Sequence, residues 1–119
     1  MLIKIVVILL LSSVTTYSVK AQTEDSESSF DPAKERARGH FRTGVNFYRE
    51  RNFRAALIEF QRAYKAYPNY KLLYNLGQAS LELQEYVQAI DYLTSYLRTG
   101  GHLIEVQRRD EVRRTIAEL

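Results

Sequence analysis

The sequence predicts an all-α fold: five helices arranged as antiparallel helix-turn-helix repeats, a short α-solenoid. Three observations predict it, namely self-similarity at one fixed offset, apolar residues at helical spacing inside each copy, and turn residues between the copies. Laid on itself at an offset of 33, the chain aligns Gly44 with Gly77, Phe53 with Tyr86, Ala56 with Ala89 and Phe60 with Leu93. The closing turns align as well, Pro68 with Gly101. Similarity at a period of about 20 to 50 residues signals stacked supersecondary units, each burying its apolar face only against the next.

The elements follow in chain order. Asp31 before Pro32 is an N-cap followed by proline at the first helical position, where its missing N–H costs nothing. Ala37, Phe41, Val45 and Tyr48 then recur at steps of three and four, one face of a first helix. Asn52 separates this helix from a second and can cap it; Ala56, Phe60, Ala63 and Tyr67 carry the second stripe, and Pro68 closes it. The third helix repeats the spacing through Leu72, Leu76, Ser80 and Leu83, and the fourth through Val87, Ile90, Leu93 and Leu97. Gly100-Gly101 ends the fourth, because glycine adopts the left-handed backbone of a C-cap. A fifth helix over about residues 103–118 places Val106, Val112, Ile116 and Leu119 on one stripe and Arg108, Arg109, Arg113 and Arg114 outside. It covers the end of the stack, where a polar outer side is required.

The amino terminus belongs to export. Met1–Ala21 begins with Lys4, runs apolar from Ile5 to Leu11 and turns small and polar, the three-part pattern of a signal peptide. Val19-Lys20-Ala21 places cleavage after Ala21, and the alternative is an uncleaved N-terminal membrane anchor, for which the run is short against about 20 residues. Cleavage leaves 98 of the 119 residues and, with Lys4 and Lys20 gone, takes the net charge from +3 to +1. The expected product is periplasmic or secreted, with no stable membrane span. Residues 22–31 form an acidic leader holding Glu24, Asp25, Glu27 and Asp31 without a cation, and disorder is expected there because almost nothing apolar offsets the ordering entropy. The next stretch is basic through Lys34, Arg36, Arg38, Arg42, Arg49, Arg51 and Arg54. Residues 32–119 form the single domain, with repeats over about 37–68 and 70–101.

The repeat resembles the tetratricopeptide repeat. Its pattern is a large side chain, Leu-Gly, an aromatic, Ala, an aromatic, a second Ala and a closing Pro. The first copy supplies His40, Thr43-Gly44, Phe47, Ala56, Phe60, Ala63 and Pro68; the second supplies Leu73, Leu76-Gly77, Ser80, Ala89, Leu93, Tyr96 and Gly101. His40, Thr43, Ser80 and Tyr96 depart from the pattern, and the period is 33 rather than about 34, which implies a tighter turn between repeats. The two glycines are expected to admit the paired helix, with Ala56 and Ala89 at the crossings. More loosely, Leu72-Leu73-Tyr74-Asn75-Leu76-Gly77-Gln78-Ala79, followed by a Gly-closed helix and a basic last helix, is similar to exported bacterial tetratricopeptide proteins.

No catalytic constellation stands in the sequence. His40 and His102 are the two histidines, they lie far apart in the pattern, and no acidic cluster stands near either at metal-ligand spacing. Cysteine is absent, and neither Gly39 and Gly44 nor Gly100-Gly101 forms a phosphate loop. The expectation is a non-enzymatic protein with no catalytic residue, no metal site and no cofactor. Tyr64, Tyr67, Tyr70, Tyr74, Tyr86, Tyr92 and Tyr96, most of them at helix-packing steps, are read as packing residues and not as platforms for nucleic acid, since export and a mature charge near zero both argue against the required electrostatic term.

What the resemblance implies is a binding surface. In tetratricopeptide stacks the first helix of each pair lines the concave side, which assigns Arg38, Phe41, Arg42, Val45, Tyr48 and Arg49, then Lys71, Tyr74, Asn75, Gln78 and Leu81, to a groove. That cationic, aromatic strip suits a peptide segment of another protein, acidic ones included. Lys71 and Asn75 resemble half of the carboxylate clamp of some family members, but Phe41 and Val45 occupy the other positions, so no clamp is expected. The implied function is a protein–protein interaction module of the bacterial cell envelope; the alternative is a self-assembly element forming a homo-oligomer.

Overall fold

The computed structural model describes residues 29–119. The expected signal peptide and residues 22–28 of the acidic leader lie outside the described residues. The rest is all-α, as the sequence predicts: α1 (Pro32–Arg49), α2 (Phe53–Ala66), α3 (Tyr70–Glu82), α4 (Tyr86–Gly100) and α5 (Val106–Glu118), with a 3-10 turn at Gly101–Leu103. Sequence neighbours pack against one another, α1 on α2 and α3 on α4 as antiparallel pairs, α2 joining the pairs and α5 lying against α4. None of these helices is long and apolar enough to cross a membrane.

The first three helices start where a side chain takes over an orphan backbone donor, whereas Glu85 and Glu105 give α4 and α5 no such bond. Asp31 Oδ1 accepts from the Ala33 and Lys34 amides at 2.9 and 3.4 Å, Asn52 Oδ1 from Ala55 at 3.3 Å, and Asn69 Oδ1 from Lys71 at 2.9 Å. Such caps stabilise a helix by about 1 kcal/mol each. The link between the pairs is three extended or bent residues, Tyr67, Pro68 and Asn69, so the proline that ends α2 is followed at once by the cap of α3.

The repeat is carried into backbone geometry. Asn52 N–H donates to the Phe47 carbonyl at 2.8 Å and Arg51 N–H to Tyr48 at 3.0 Å; 33 residues on, Glu85 N–H donates to Ser80 at 2.9 Å and Gln84 N–H to Leu81 at 2.9 Å. This is the Schellman closure, and it needs a left-handed residue, here Arg51 at φ 62° and Gln84 at φ 59°. Neither is glycine.

The core runs through Ala56, Leu57, Phe60, Leu73, Leu76, Ala79, Leu93, Tyr96, Ile104 and Val112. Ala56 and Ala89 are fully buried, and the two aligned glycines admit the two aligned large residues, Phe60 over Gly44 and Leu93 over Gly77. Burying such a side chain stabilises by about 1.5 to 3 kcal/mol.

Two stripes depart from expectation. In α4 the buried side is Ala89, Leu93, Tyr96 and Gly100, whereas Val87 is 78 % exposed. Val87 stands two residues before Ala89, about 200° around the helix, so with Ala89 against α3 the Val87 side chain is on the outer side. The expected fifth helix begins at Val106 instead of about 103, because Gly101 (φ 48°) starts a 3-10 turn first. Val112 is the buried residue of α5 and Ile116 is half-buried, but Val106 and Leu119 are exposed; Ile104, in the turn, supplies the missing anchor. Ser80, standing where the first copy has Phe47, is fully buried and its hydroxyl has no hydrogen-bond partner among the described residues.

Candidate interaction groove

The helices α1 and α3 leave two adjoining depressions between them. The first, about 250 Å³, takes Lys34, Ala37, Arg38 and Phe41 from α1, Tyr67 and Asn69 from the link, and Lys71, Leu72 and Asn75 from α3. The second, about 330 Å³, takes Val45, Tyr48 and Arg49 from α1, Phe60 from α2, and Tyr74, Asn75 and Gln78 from α3. Asn75 borders both and makes one groove of them.

Helical spacing explains the lining. Lys34, Arg38, Phe41, Val45, Tyr48 and Arg49 follow one another at one to four residues along one side of α1, and Lys71, Tyr74, Asn75 and Gln78 do the same on α3. Every residue that the sequence assigns to a groove lines one of the depressions except Arg42 and Leu81. Arg42 is exposed but stands beyond both rims, and Leu81 is half-buried against the core. Lys34, Ala37, Phe60, Tyr67, Asn69 and Leu72 line the depressions without having been assigned there. Lys34 had a signal, since it precedes Arg38 by one turn; Tyr67 and Asn69 lie in the inter-helix link, where no periodicity applies.

The groove is apolar below and cationic at the rim. Phe41 packs on Phe60 with centroids 5.9 Å apart, and Tyr48 stands edge-on to Phe53 at 5.1 Å. The Tyr48 hydroxyl donates to Glu82 at 3.4 Å, tying α1 to α3, and burial with the nearby Glu82 carboxylate raises its pKa above the ordinary phenol value. Tyr74 forms the far wall. Its ring lies 5.4 Å from Tyr96 and 4.8 Å beneath the Arg108 guanidinium, whose Nη1 donates to the Tyr74 hydroxyl at 2.5 Å. Asn75 turns its amide onto its own helix, where one of its two N–H groups donates to the Lys71 carbonyl at 3.1 Å.

A polar cluster on α1 and α2 was missed by sequence reasoning, although its Glu59 and Arg62 stand at i,i+3 spacing. Glu59 of α2 is buried, with His40 Nδ1 at 2.7 Å from one oxygen and Arg62 Nη1 at 2.6 Å from the other. The His40 hydrogen bond, followed by Arg62, holds the carboxyl below the usual carboxylate range, against the opposing effect of burial. His40 thus sits at a helix-packing position with a partner 19 residues away, a separation that local motif reading does not span. Among the described residues no group of three or more histidines and carboxylates is placed to hold a metal ion.

Comparison with protein-family models, curated proteins and solved structures gives no match for this chain.

Proposed function

We propose that this chain is a non-enzymatic interaction module of the bacterial cell envelope, built from two tetratricopeptide-like repeats and a covering helix, that holds an extended segment of a partner protein between α1 and α3. The observation that carries the reading is the groove itself: an apolar floor of Phe41, Phe60 and Leu72, rimmed by Lys34, Arg38, Arg49 and Lys71. A few aromatic and arginine anchors in a concave site dominate the energy of such contacts, and the rim cations favour a segment carrying carboxylates. The repeat reading is supported by the closing turns that recur at an offset of 33 and by the paired contacts of Gly44 with Phe60 and Gly77 with Leu93. Export by a cleaved leader, with the cut after Ala21, places the module outside the inner membrane and is part of the same proposal.

The test is site-directed photocrosslinking in the host. A photoreactive residue in place of Phe41 should give a discrete adduct, and one in place of Ile58, which is exposed on α2 and lines neither depression, should give none. Mass spectrometry should map the Phe41 adduct to one acidic stretch of the partner. Equal labelling from Ile58, or no adduct from Phe41, overturns the groove.

A further inference from the structure

The first depression opens beside the point where the chain enters α1. Phe30, the residue before the Asp31 cap, is 76 % exposed and lies outside the helix, just ahead of the first turn that carries Lys34. The rim beside it is unneutralised: Lys34 and Lys71 make no ion pair among the described residues, and Arg38 pairs at 2.8 Å with the exposed Glu35, a contact of small worth. Directly upstream are Glu24, Asp25 and Glu27, with no cation between Gln22 and Asp31.

We propose that the occupant of this depression, in the absence of a partner, is the chain's own segment 23–29, doubled back along α1 with its carboxylates against Lys34, Arg38 and Lys71. The inference rests on the groove reading and deepens it: the leader is a built-in competitor that an acidic partner segment must displace. The span is sufficient. Glu24 to Ser29 extends to about 17 Å at ~3.3 Å per residue, whereas from the Asp31 cap, where the leader joins the helix, to Arg38 α1 rises about 10 Å at ~1.5 Å per residue. Ser28 and Ser29 are turn formers suited to the reversal, and a strand folded over this end of α1 also covers Phe30. Because the tether is short, the leader meets the site at an effective concentration in the millimolar range, so a weak contact is well occupied. The contact is between exposed charges and is therefore screened by salt.

The chain has no cysteine, so Ser26→Cys gives one attachment point for a spin label. In the protein as its host delivers it, at low salt, the amide signals of Phe41, Leu72 and Asn75 should lose more than half their intensity. They should recover at about 0.5 M salt, beyond the range of surface electrostatics, and in the Lys34→Glu, Lys71→Glu variant checked for unchanged helicity. Broadening that stops before Ala37 or ignores salt overturns the proposal. So does the same broadening arising only between a labelled and an unlabelled copy, which would assign the site to a second chain. A Phe41 photoadduct with no spin-label effect removes the leader and keeps the groove; the converse removes the partner and keeps the leader.

Discussion

A side chain on Gly44 would occupy the space of the Phe60 ring: a Cβ built there lies 2.6 Å from Cε1 and 2.7 Å from Cδ1. The same relationship recurs one repeat later, where a Cβ on Gly77 would lie 2.6 Å from a Leu93 methyl. Close approach, not backbone freedom, is what these two glycines supply, since both lie in regular helix.

Gly44→Ala should therefore destabilise the domain by about 1 to 3 kcal/mol, the usual cost of overpacking. Gly39→Ala, in the same helix with nothing within 4 Å of its Cβ, should stabilise by about 0.5 to 1 kcal/mol by helix propensity alone. Thermal unfolding resolves the two, at roughly 4 to 8 °C per kcal/mol for a domain of this size. Equal effects at the two positions would contradict the packing account. Because Phe60 also floors the groove, Gly44→Ala should weaken partner binding where Gly39→Ala does not.

The left-handed residues of the repeated turn make a second contrast. A non-glycine residue there costs about 1 to 2 kcal/mol, of which glycine returns part through its larger unfolded-state entropy. Gln84→Gly should accordingly stabilise by about 0.5 to 1 kcal/mol. Arg51→Gly should be close to neutral, because it forfeits the guanidinium that sits 5.5 Å from the Phe53 ring centroid, a contact worth about 0.5 to 1 kcal/mol at an exposed site. Urea unfolding of the two variants in parallel measures the difference, and a larger gain at Arg51 than at Gln84 would refute it.

Glu59 should contribute to the acid sensitivity of the domain. Its carboxyl titrates lower in the folded chain than in the unfolded one, so in the window between the two values the unfolded chain binds more protons and stability rises with pH. The contribution is complete above the unfolded value of about 4.3 and is lost as pH falls through the folded value. Glu59→Gln should cost about 1.5 to 3 kcal/mol at pH 7, the range for hydrogen bonds to charged groups, and should flatten the acid limb of a stability profile below the unfolded carboxylate value, where the lowered folded-state group titrates. An unchanged acid limb in the variant would assign the sensitivity to another group.

What was legible in the sequence follows from how far each signal reaches. The helices, the aligned glycines and the groove-lining sides of α1 and α3 are periodic, and a period survives whatever the partners are. Val87 fits steps of three and four and is nonetheless exposed, because such steps drift around the helix, and Val87 stands about 200° from Ala89, opposite the side that α4 buries. In the Glu59 cluster only the Arg62 pair has local, i,i+3 spacing; the His40 bond depends on a contact between α1 and α2 that leaves no local trace. Ile104 was passed over for a related reason: it anchors α5 from outside any helix, in a turn that Gly101 creates. Arg51 and Gln84 carry no composition cue, since the turn demands a backbone conformation that neither residue type announces.

The fifth helix should open before the rest of the stack. Val112 is its one buried residue, Glu105 gives it no side-chain cap, and its remaining ties are the half-buried Ile116 and the Arg108–Tyr74 contact. By contrast α3 buries Leu72, Leu73, Leu76, Gly77, Ala79 and Ser80 and is flanked on both sides. Opening free energy follows buried contact, so amides of α5 should exchange at least about tenfold faster than those of α3, a gap of roughly 1.4 kcal/mol. Arg108→Ala should speed α5 further, by about two- to fivefold for a contact of ~0.5 to 1 kcal/mol, while leaving α1 and α2 unchanged. Hydrogen exchange read by mass spectrometry separates these segments, and protection of α5 equal to that of α3 would mean that the helix is an integral layer. Since Tyr74 is both the partner of Arg108 and the far wall of the groove, opening of α5 frees the Tyr74 hydroxyl. The same variant should thus alter the affinity for a bound segment without touching the floor formed by Phe41 and Phe60.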